Sequence, residues 1–500
     1  MEYLINKLRQ ANIRISVIDN QLKLSVPEGA DVRSLIAEVK EYKQDLIDYI
    51  QKARAAMPQT AEGPATYELF YQQKKEYLRF LILGDQAFNM NFVLQFDDVD
   101  VPAIQKAVRT VFERHESLRT TYLCNNGVMQ QHVRSMIDDP IQYFDLSNED
   151  NIEQAARELF YSAVKRKFNF EKELLVDVKL VKISPRTSYL SFTVHHVCCD
   201  SISREILKKE VTAVYEGELL PPITLQYKDY ARFVNNLLKS EAGAAARDFY
   251  RERIGSSVGS YKKKLREELE RASVDPTKKP FDEAFGSVVN LYPEKGASFR
   301  TCVKAPVLNK VKELAASCGS SVNMALTAAF ATILHSISGR DTFRFYIPFT
   351  NRTSTEFENI VGWLTSEIVL VVDVKEDLRE LISDVTAGFL EASPHQLYPH
   401  EAIMNDLDIP LDELVDAMLN FVKIPGAQME YFTPAHDDNG SGHFNLRLAI
   451  NEFDNGLYIT VNYNLNMYTK EKIEEMMDMF TNFLSYATCD RLQPVARNYQ

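Results

Sequence analysis

A β-prone apolar run, Tyr189-Leu190-Ser191-Phe192-Thr193-Val194, gives way to a helical pattern that begins at Ile202. Between them stand His195, His196, Val197, Cys198, Cys199, Asp200 and Ser201. A strand that hands over to a helix through a short polar loop is an α/β device, and it presents its loop side chains at a strand end. Adjacent residues on a strand point to opposite faces, so His195 and His196 cannot share one role. Imidazole titrates near neutrality, so the histidine that faces open space can exchange protons there. Asp200 falls where the helix starts.

Other readings of this loop are weaker. A His-His pair fits a satisfied core equally well. A metal site from His195, His196, Cys198, Cys199 and Asp200 matches neither a CxxC nor an HExxH spacing, so no metal is expected. A serine-hydrolase triad through Ser201 lacks the GxSxG elbow. A histidine general base with an aspartate shaping its loop remains, and it needs support from the rest of the chain.

Five hundred residues exceed one compact core and suggest two large lobes plus a small unit. A formal net charge of −13 argues against a nucleic-acid partner. No apolar run is long enough to span a membrane, and the opening Met-Glu-Tyr-Leu-Ile-Asn-Lys is no secretory signal. Six cysteines, two of them adjacent, form no disulfide framework and fit a reducing cytoplasm.

Residues 1–56 read as a separate unit. A short helix around Tyr3–Leu8 precedes two alternating runs, Ile13–Val17 and Leu22–Val26, separated by Asp19-Asn20 as in a β-hairpin. An amphipathic helix from Leu35 to Ile50 follows. The exposed edges of so small a sheet can accept a strand from a partner peptide. Arg14 and Lys23, at polar positions of the hairpin, favour an acidic one. Residues 57–66 are a linker, 67–242 a first lobe and 281–490 a second. The charge-dense segment 243–280 between them is expected to form solvated helices. Helix and strand patterns alternate through both lobes, so the fold class is α/β.

The segment from Leu4 to Ile50, with its Lys-Leu-Arg-Gln-x-x-Ile opening and the Pro-x-Gly before the long helix, resembles the tubulysin-synthetase-type docking domains of nonribosomal peptide synthetase subunits. The main body resembles the condensation domains of the same synthetases. The family's His-His-x-x-x-Asp-Gly appears as His195, His196 and Asp200, with Ser201 replacing glycine. Arg114-His115-Glu116-Ser117-Leu118-Arg119-Thr120 is intact, and Tyr227-Lys228-Asp229-Tyr230-Ala231, Asn351-Arg352, Gly362-Trp363, His395-Gln396 with Pro399, and Leu419-Asn420-Phe421 follow in family order. Departures are Ser201, Ser366-Glu367 for Asn-Thr, His400 for phenylalanine, and a degenerate first motif at Gln73–Tyr77.

The resemblance implies two chloramphenicol-acetyltransferase-like lobes in a V-shaped pseudo-dimer behind a small α+β docking domain. It also implies an acyltransferase that joins a donor acyl or peptidyl thioester to an acceptor amine. Both substrates would ride on phosphopantetheine arms of carrier proteins, with no cofactor bound directly. In that reading His196 takes the amine proton or positions the amine, and His195 orients the loop. Asp200 pairs with an arginine, Arg352 before Arg344, so Arg352 and Ser201 are the supporting residues. The docking domain would take the short acidic C-terminal peptide of an upstream synthetase subunit. Alternatives are an acyltransferase using a free acceptor, an epimerisation domain (whose later Glu-x-His-Gly-Arg is missing), and a non-catalytic module that recruits a carrier. The chain reads equally as a free-standing enzyme or as a piece of a longer subunit.

Overall fold

The computed structural model describes residues 14–18, 21–25, 33–44, 46–47, 66–85, 88–125, 127–135, 139–255, 296–352, 354–409, 414–424, 426, 428–429 and 445–486. The first short helix and residues 57–65 of the 57–66 linker expected from the sequence lie outside them, and residue 66 opens a strand.

At the N-terminal end β1 (Arg14–Ile18) and β2 (Gln21–Ser25) form an antiparallel two-stranded sheet in which Arg14 faces Ser25 and Ser16 faces Lys23. In β2 the half-buried Leu22 and Leu24 alternate with the exposed Gln21 and Lys23. Lys23 is exposed. Of Arg14 only the backbone is described. The helix α1 (Arg33–Glu41) buries Val39, and Leu46 and Ile47 are buried just beyond it.

By its internal contacts the chain divides into two compact units, one of 1–240 with Thr350–Leu364 and one of Glu241–Phe349 with Thr365–Gln500. In the first, β3 (Thr66–Glu68) leads into α2 (Tyr71–Leu83), β4 (Asn89–Asp97) and α3 (Val101–Arg114). Then come β5 (Thr120–Asn125), β6 (Val128–Val133), β7 (Ile141–Asp145) and α4 (Ile152–Val164). The strands β8 (Val176–Lys182) and β9 (Thr187–His195) precede α5 (Ser201–Tyr215) and α6 (Tyr227–Leu238). A four-stranded sheet runs in the order β4-β9-β8-β7, and β3-β6-β5 form a second. β8 and β9 are buried over most of their length, yet their sequences alternate, so the polar face they enclose (Asp177, Lys179, Ser191, Thr193 and His195) must find partners inside. An aromatic core of Phe70, Tyr77, Tyr122, Phe170, Phe192, Tyr227 and Tyr230 lies in this unit.

The intact Arg114–Thr120 motif proves to be scaffold here. Arg114 Nε reaches both oxygens of Glu210 on α5 at 3.0–3.1 Å, and His115 Nε2 lies 2.7 Å from one of them. Lys228 of α6 binds Glu116 at 2.8 Å. The motif thereby fixes α5, the helix that Asp200 starts.

The second unit begins with α7 (Glu241–Ile254). The expectation of a solvated segment from residue 243 fails over this helix, because it buries Gly243, Ala246 and Tyr250, and Phe249 stacks on His395 at 4.4 Å. The remainder of that charged segment, 256–280, lies outside the described residues. A six-stranded sheet follows, formed by β10 (Gly296–Lys304), β11 (Thr342–Phe349), β12 (Ser366–Asp373), β13 (Ala417–Lys423), β14 (Leu446–Phe453) and β15 (Gly456–Asn464). Its order is β10-β15-β14-β13-β11-β12, with β13 parallel to both neighbours. The helices α8 (Ala305–Ser317), α9 (Val322–Ser338), α10 (Leu378–Ala392) and α12 (Lys470–Tyr486) contribute to one apolar core with this sheet, and α11 (His400–Leu407) lies between α10 and β13 in sequence. Among the described residues no single helix is long and apolar enough to cross a membrane.

Candidate active site

Antiparallel pairing with β4 places the end of β9, because Asn89 faces His195 in register. The His195 N–H donates to Leu175 O at 2.9 Å and the His196 N–H to Phe88 O at 2.8 Å. The chain then turns through one 3-10 turn, His196–Cys198, before Asp200 caps α5. The two histidines therefore leave the strand tip with their backbones fixed and their rings apart.

His195 is a buried brace. Its Nδ1 accepts from the Val197 N–H at 3.2 Å, so the Nε2 carries the proton in the neutral ring and points to Asp85 Oδ1, 3.3 Å away. The other Asp85 oxygen accepts the Phe168 N–H at 2.6 Å, and Phe170 packs edge-on against the ring at 4.8 Å. Both polar atoms of the imidazole are occupied, which leaves none for a substrate.

His196 is held differently, by aromatic faces rather than by polar partners. Phe88 stacks on it at 4.5 Å and 19°, and the Trp363 ring lies 4.4 Å away at 53°. Its Nδ1 is enclosed without a hydrogen-bond partner among the described residues, while the residue as a whole stays partly exposed. The Nε2 makes no hydrogen bond with them either and is not enclosed, so it is the nitrogen open to a reactant. Desolvation lowers the His196 pKa and His195 adds to this, against the opposing effects of its own backbone, Asp200 and Glu76. A lowered pKa keeps the ring neutral at pH 7, the form that accepts a proton.

Asp200 is 1% exposed and fully engaged. Arg352 grips it with two hydrogen bonds, Nη1 to Oδ2 at 2.8 Å and Nη2 to Oδ1 at 2.9 Å. The Ser203 N–H and the Leu364 N–H donate to it at 2.8 and 3.1 Å. Burial by itself would raise the Asp200 carboxyl, but the Arg352 charge and the hydrogen bonds from Arg352 and Ser203 reverse this, and its pKa is lowered. Arg344 belongs to the other compact unit. With its oxygens spent, Asp200 holds the loop and helix start rather than a reactant.

Ser201 needs correcting as a supporting residue. It occupies the first helical position, is exposed and makes no hydrogen bond with the described residues. Ser203, buried one position past Ile202, does that work. Its hydroxyl accepts from the Arg352 Nη2 and the Gly362 N–H, each at 3.0 Å. Its single proton has two acceptors in reach, Asp200 Oδ1 at 2.8 Å and Gly362 O at 2.9 Å.

The segment Gly362–Leu364 completes the site. A Cβ on Gly362 would enter the ring of Tyr227, so only glycine lets the turn lie flat on that side chain. Tyr227 and Tyr230 donate to the carbonyls of Trp363 and Leu364 at 3.3 and 3.2 Å, and Asn351, at φ 53°, donates to Leu364 O at 2.8 Å. The motif at Tyr227–Tyr230 is thus a clamp on the backbone that carries Trp363. Cys198 and Cys199 are buried thiols, and burial pushes Cys198 up to about 12, which leaves it inert as a nucleophile. Among the described residues no three His, Cys, Asp or Glu side chains converge to hold a metal.

Asp85, Phe88 and the Leu364 N–H went unnamed in the sequence reading of the site. Each meets the motif through tertiary packing, whereas Ser203, three residues past Asp200, stood within the motif stretch itself. Two departures from the family pattern also meet in the second unit, where His400 Nδ1 lies 3.2 Å from Glu367 and His400 Nε2 lies 3.2 Å from Glu401.

Comparison with known proteins agrees with this arrangement. The family model described as "Condensation domain" matches residues 65–498, and "TubC N-terminal docking domain" matches 1–52. Bacitracin synthase 1 of Bacillus licheniformis is 25% identical over 439 residues, covering 86% of this chain and 8% of its own length. Surfactin synthase subunit 2 of Bacillus subtilis (strain 168) is 26% identical over 448 residues, covering 87% and 12%. The chain therefore spans about a tenth of the curated relatives it matches. Among solved structures, the EpoB NRPS cyclization-docking bidomain from Sorangium cellulosum superimposes with a TM-score of 0.64 at 18% identity, covering 98% of both chains, a likeness of fold alone.

Proposed function

Because this chain belongs to the condensation-domain family, whose members form amide bonds, and carries a TubC-type docking domain, we propose that it joins a carrier-bound acyl or peptidyl thioester to a carrier-bound amino acid in nonribosomal peptide synthesis. The carrying observation is His196, with Nδ1 enclosed, Nε2 open and a pKa lowered by burial. The neutral acceptor amine attacks the thioester carbonyl carbon; the C–N bond forms and the C–S bond breaks. The amine proton passes to His196 Nε2 and on to the departing thiolate, which leaves as the thiol of the phosphopantetheine arm. Fixing the two reactants beside that nitrogen contributes as much as the proton transfer itself.

Around His196, His195 and Asp85 brace the strand end, while Asp200, Arg352 and Ser203 hold the helix start and the Gly362–Leu364 turn. Donor and acceptor carrier proteins are the partners of this reaction in the cytoplasm. The hairpin of the docking domain receives the short acidic C-terminal peptide of an upstream subunit, and the exposed Lys23 favours its charge.

Loading donor and acceptor carriers, mixing them with the chain and following product by mass tests the reaction. The native chain forms the amide and His196→Ala loses it by at least about a hundredfold; unchanged turnover in that variant sinks the mechanism. For docking, an acidic peptide fused to a reporter binds the native chain and is weakened by Lys23→Glu. Equal binding of both would remove the charge argument.

A further inference from the structure

Helix α2 packs against the 3-10 turn that starts at His196, and it carries a carboxylate with no counter-charge among the described residues. Glu76 is 4% exposed, yet it forms no hydrogen bond or ion pair with the described residues. Its neighbours along the helix have partners. Gln73 donates to Gln131 at 3.3 Å, Lys74 pairs with Glu68 at 3.0 Å, and the Tyr77 hydroxyl donates to Glu171 at 2.7 Å. Lys75 sits 5.5 Å from the centre of the Trp363 ring, the ring that also packs on His196.

Neither Glu76 oxygen is among the enclosed unpartnered atoms, so the carboxylate tip keeps accessible surface while its stem is covered. Its charge also acts on the His196 imidazole, favouring the protonated ring. A carboxylate so enclosed costs stability unless something pairs with it. Substrate can supply that partner.

We propose that Glu76 is a specificity-determining residue that receives the cationic side chain of a basic aminoacyl substrate, an ammonium or guanidinium, beside His196. The attacking amine is not the ligand, since it must be neutral to attack, and a carboxylate would hold it protonated. A side-chain cation instead gains a charge-assisted hydrogen bond without suppressing the nucleophile. The proposal rests on the acyl-transfer reading above and adds to it the class of residue handled.

Lysyl and norleucyl thioesters of N-acetylcysteamine differ in little but the ammonium. Their binding to the full chain, measured by calorimetry without a co-substrate, and their turnover with the second substrate present give two separate readouts. The native chain favours the lysyl probe by at least about tenfold, Glu76→Gln reduces the ratio to near one, and Glu76→Arg turns the preference toward a glutamyl probe. Following the His196 ring by NMR shows each variant folded, and its pKa falls further in Glu76→Gln. Equal affinities in the native chain, no binding of either probe, or a ratio untouched by Glu76→Gln overturns the proposal. Equal turnover of both probes removes the selectivity and leaves the reaction standing. A Glu76-dependent binding ratio without any product keeps the selectivity and removes the acyl-transfer reading.

Discussion

Replacing Arg352 by leucine isolates the physical reason for the Asp200 pair. The guanidinium is 5% exposed and the carboxylate 1%, so neither is screened by water. Arg352→Leu takes two hydrogen bonds and the Arg352 ion pair from Asp200, so that the Ser203 and Leu364 donors face a full negative charge without the guanidinium. Breaking a buried pair from one side costs about 3–5 kcal/mol. The loss depends on pH with a definite sign. In the native chain Asp200 has a lowered pKa, so its contribution is complete above the ordinary carboxylate value of about 3.9 and disappears as pH falls through the lowered value. Without Arg352 the burial effect is no longer offset and the folded-state pKa moves above the ordinary one. The variant then gains relative stability below about pH 4 and loses it as pH rises through the raised value. Urea unfolding of the two proteins between pH 3.5 and 8, conditions set by that carboxylate value of about 3.9, reads the difference directly. It should be near its full 3–5 kcal/mol at pH 7, on the order expected for a buried pair, and should shrink steadily toward acid. A difference under about 1 kcal/mol at pH 7, the size of a surface pair, or one that does not shrink in acid, would refute the reasoning.

Three further outcomes follow from the same contacts. Because burial lowers the His196 pKa, the acid limb of the rate–pH profile should lie below the ordinary imidazole value of about 6.5, and Trp363→Ala, which opens the ring to water, should move it upward. Gly362→Ala should shift the urea midpoint by the equivalent of about 1–3 kcal/mol or more, since its methyl enters the Tyr227 ring, and Tyr227→Ala in the same chain should recover part of that loss. Asp85→Asn should weaken folding and amide formation together, whereas His196→Gln should lower the rate with little change in the urea midpoint.

The strand–loop–helix junction from Tyr189 to Tyr215 was legible because local pattern alone sets it. An apolar run makes β9, an N-cap aspartate starts α5, and the structure places both within two residues of the sequence reading. The fold class was legible too, since alternating helix and strand patterns need no knowledge of their partners. Which of the two histidines is open follows from strand parity only as a division of roles, and the environment of each ring had to come from elsewhere. Asp85 and Phe88 stand more than a hundred residues before the motif's histidines, and Trp363 stands well over a hundred beyond them.

The same limit explains the serines. From the sequence Ser201 drew attention as the residue that breaks a pattern, but a helix start turns its first side chain outward and leaves the third facing in. Ser203 therefore reaches Asp200, Arg352 and Gly362, and Ser201 reaches none of them. Glu76 makes the point most sharply. In the sequence it is one charge among several on a polar helix, Tyr71–Leu83, and only packing buries it, leaves it no counter-charge among the described residues and sets its helix against the turn that His196 begins. The sequence by itself determined the strand–loop–helix frame of the His195–Asp200 motif and the class of fold, because both are written in local residue order. The tertiary structure decided which side chains are enclosed, which are paired and which stay open, because burial and charge depend on residues that meet only after folding.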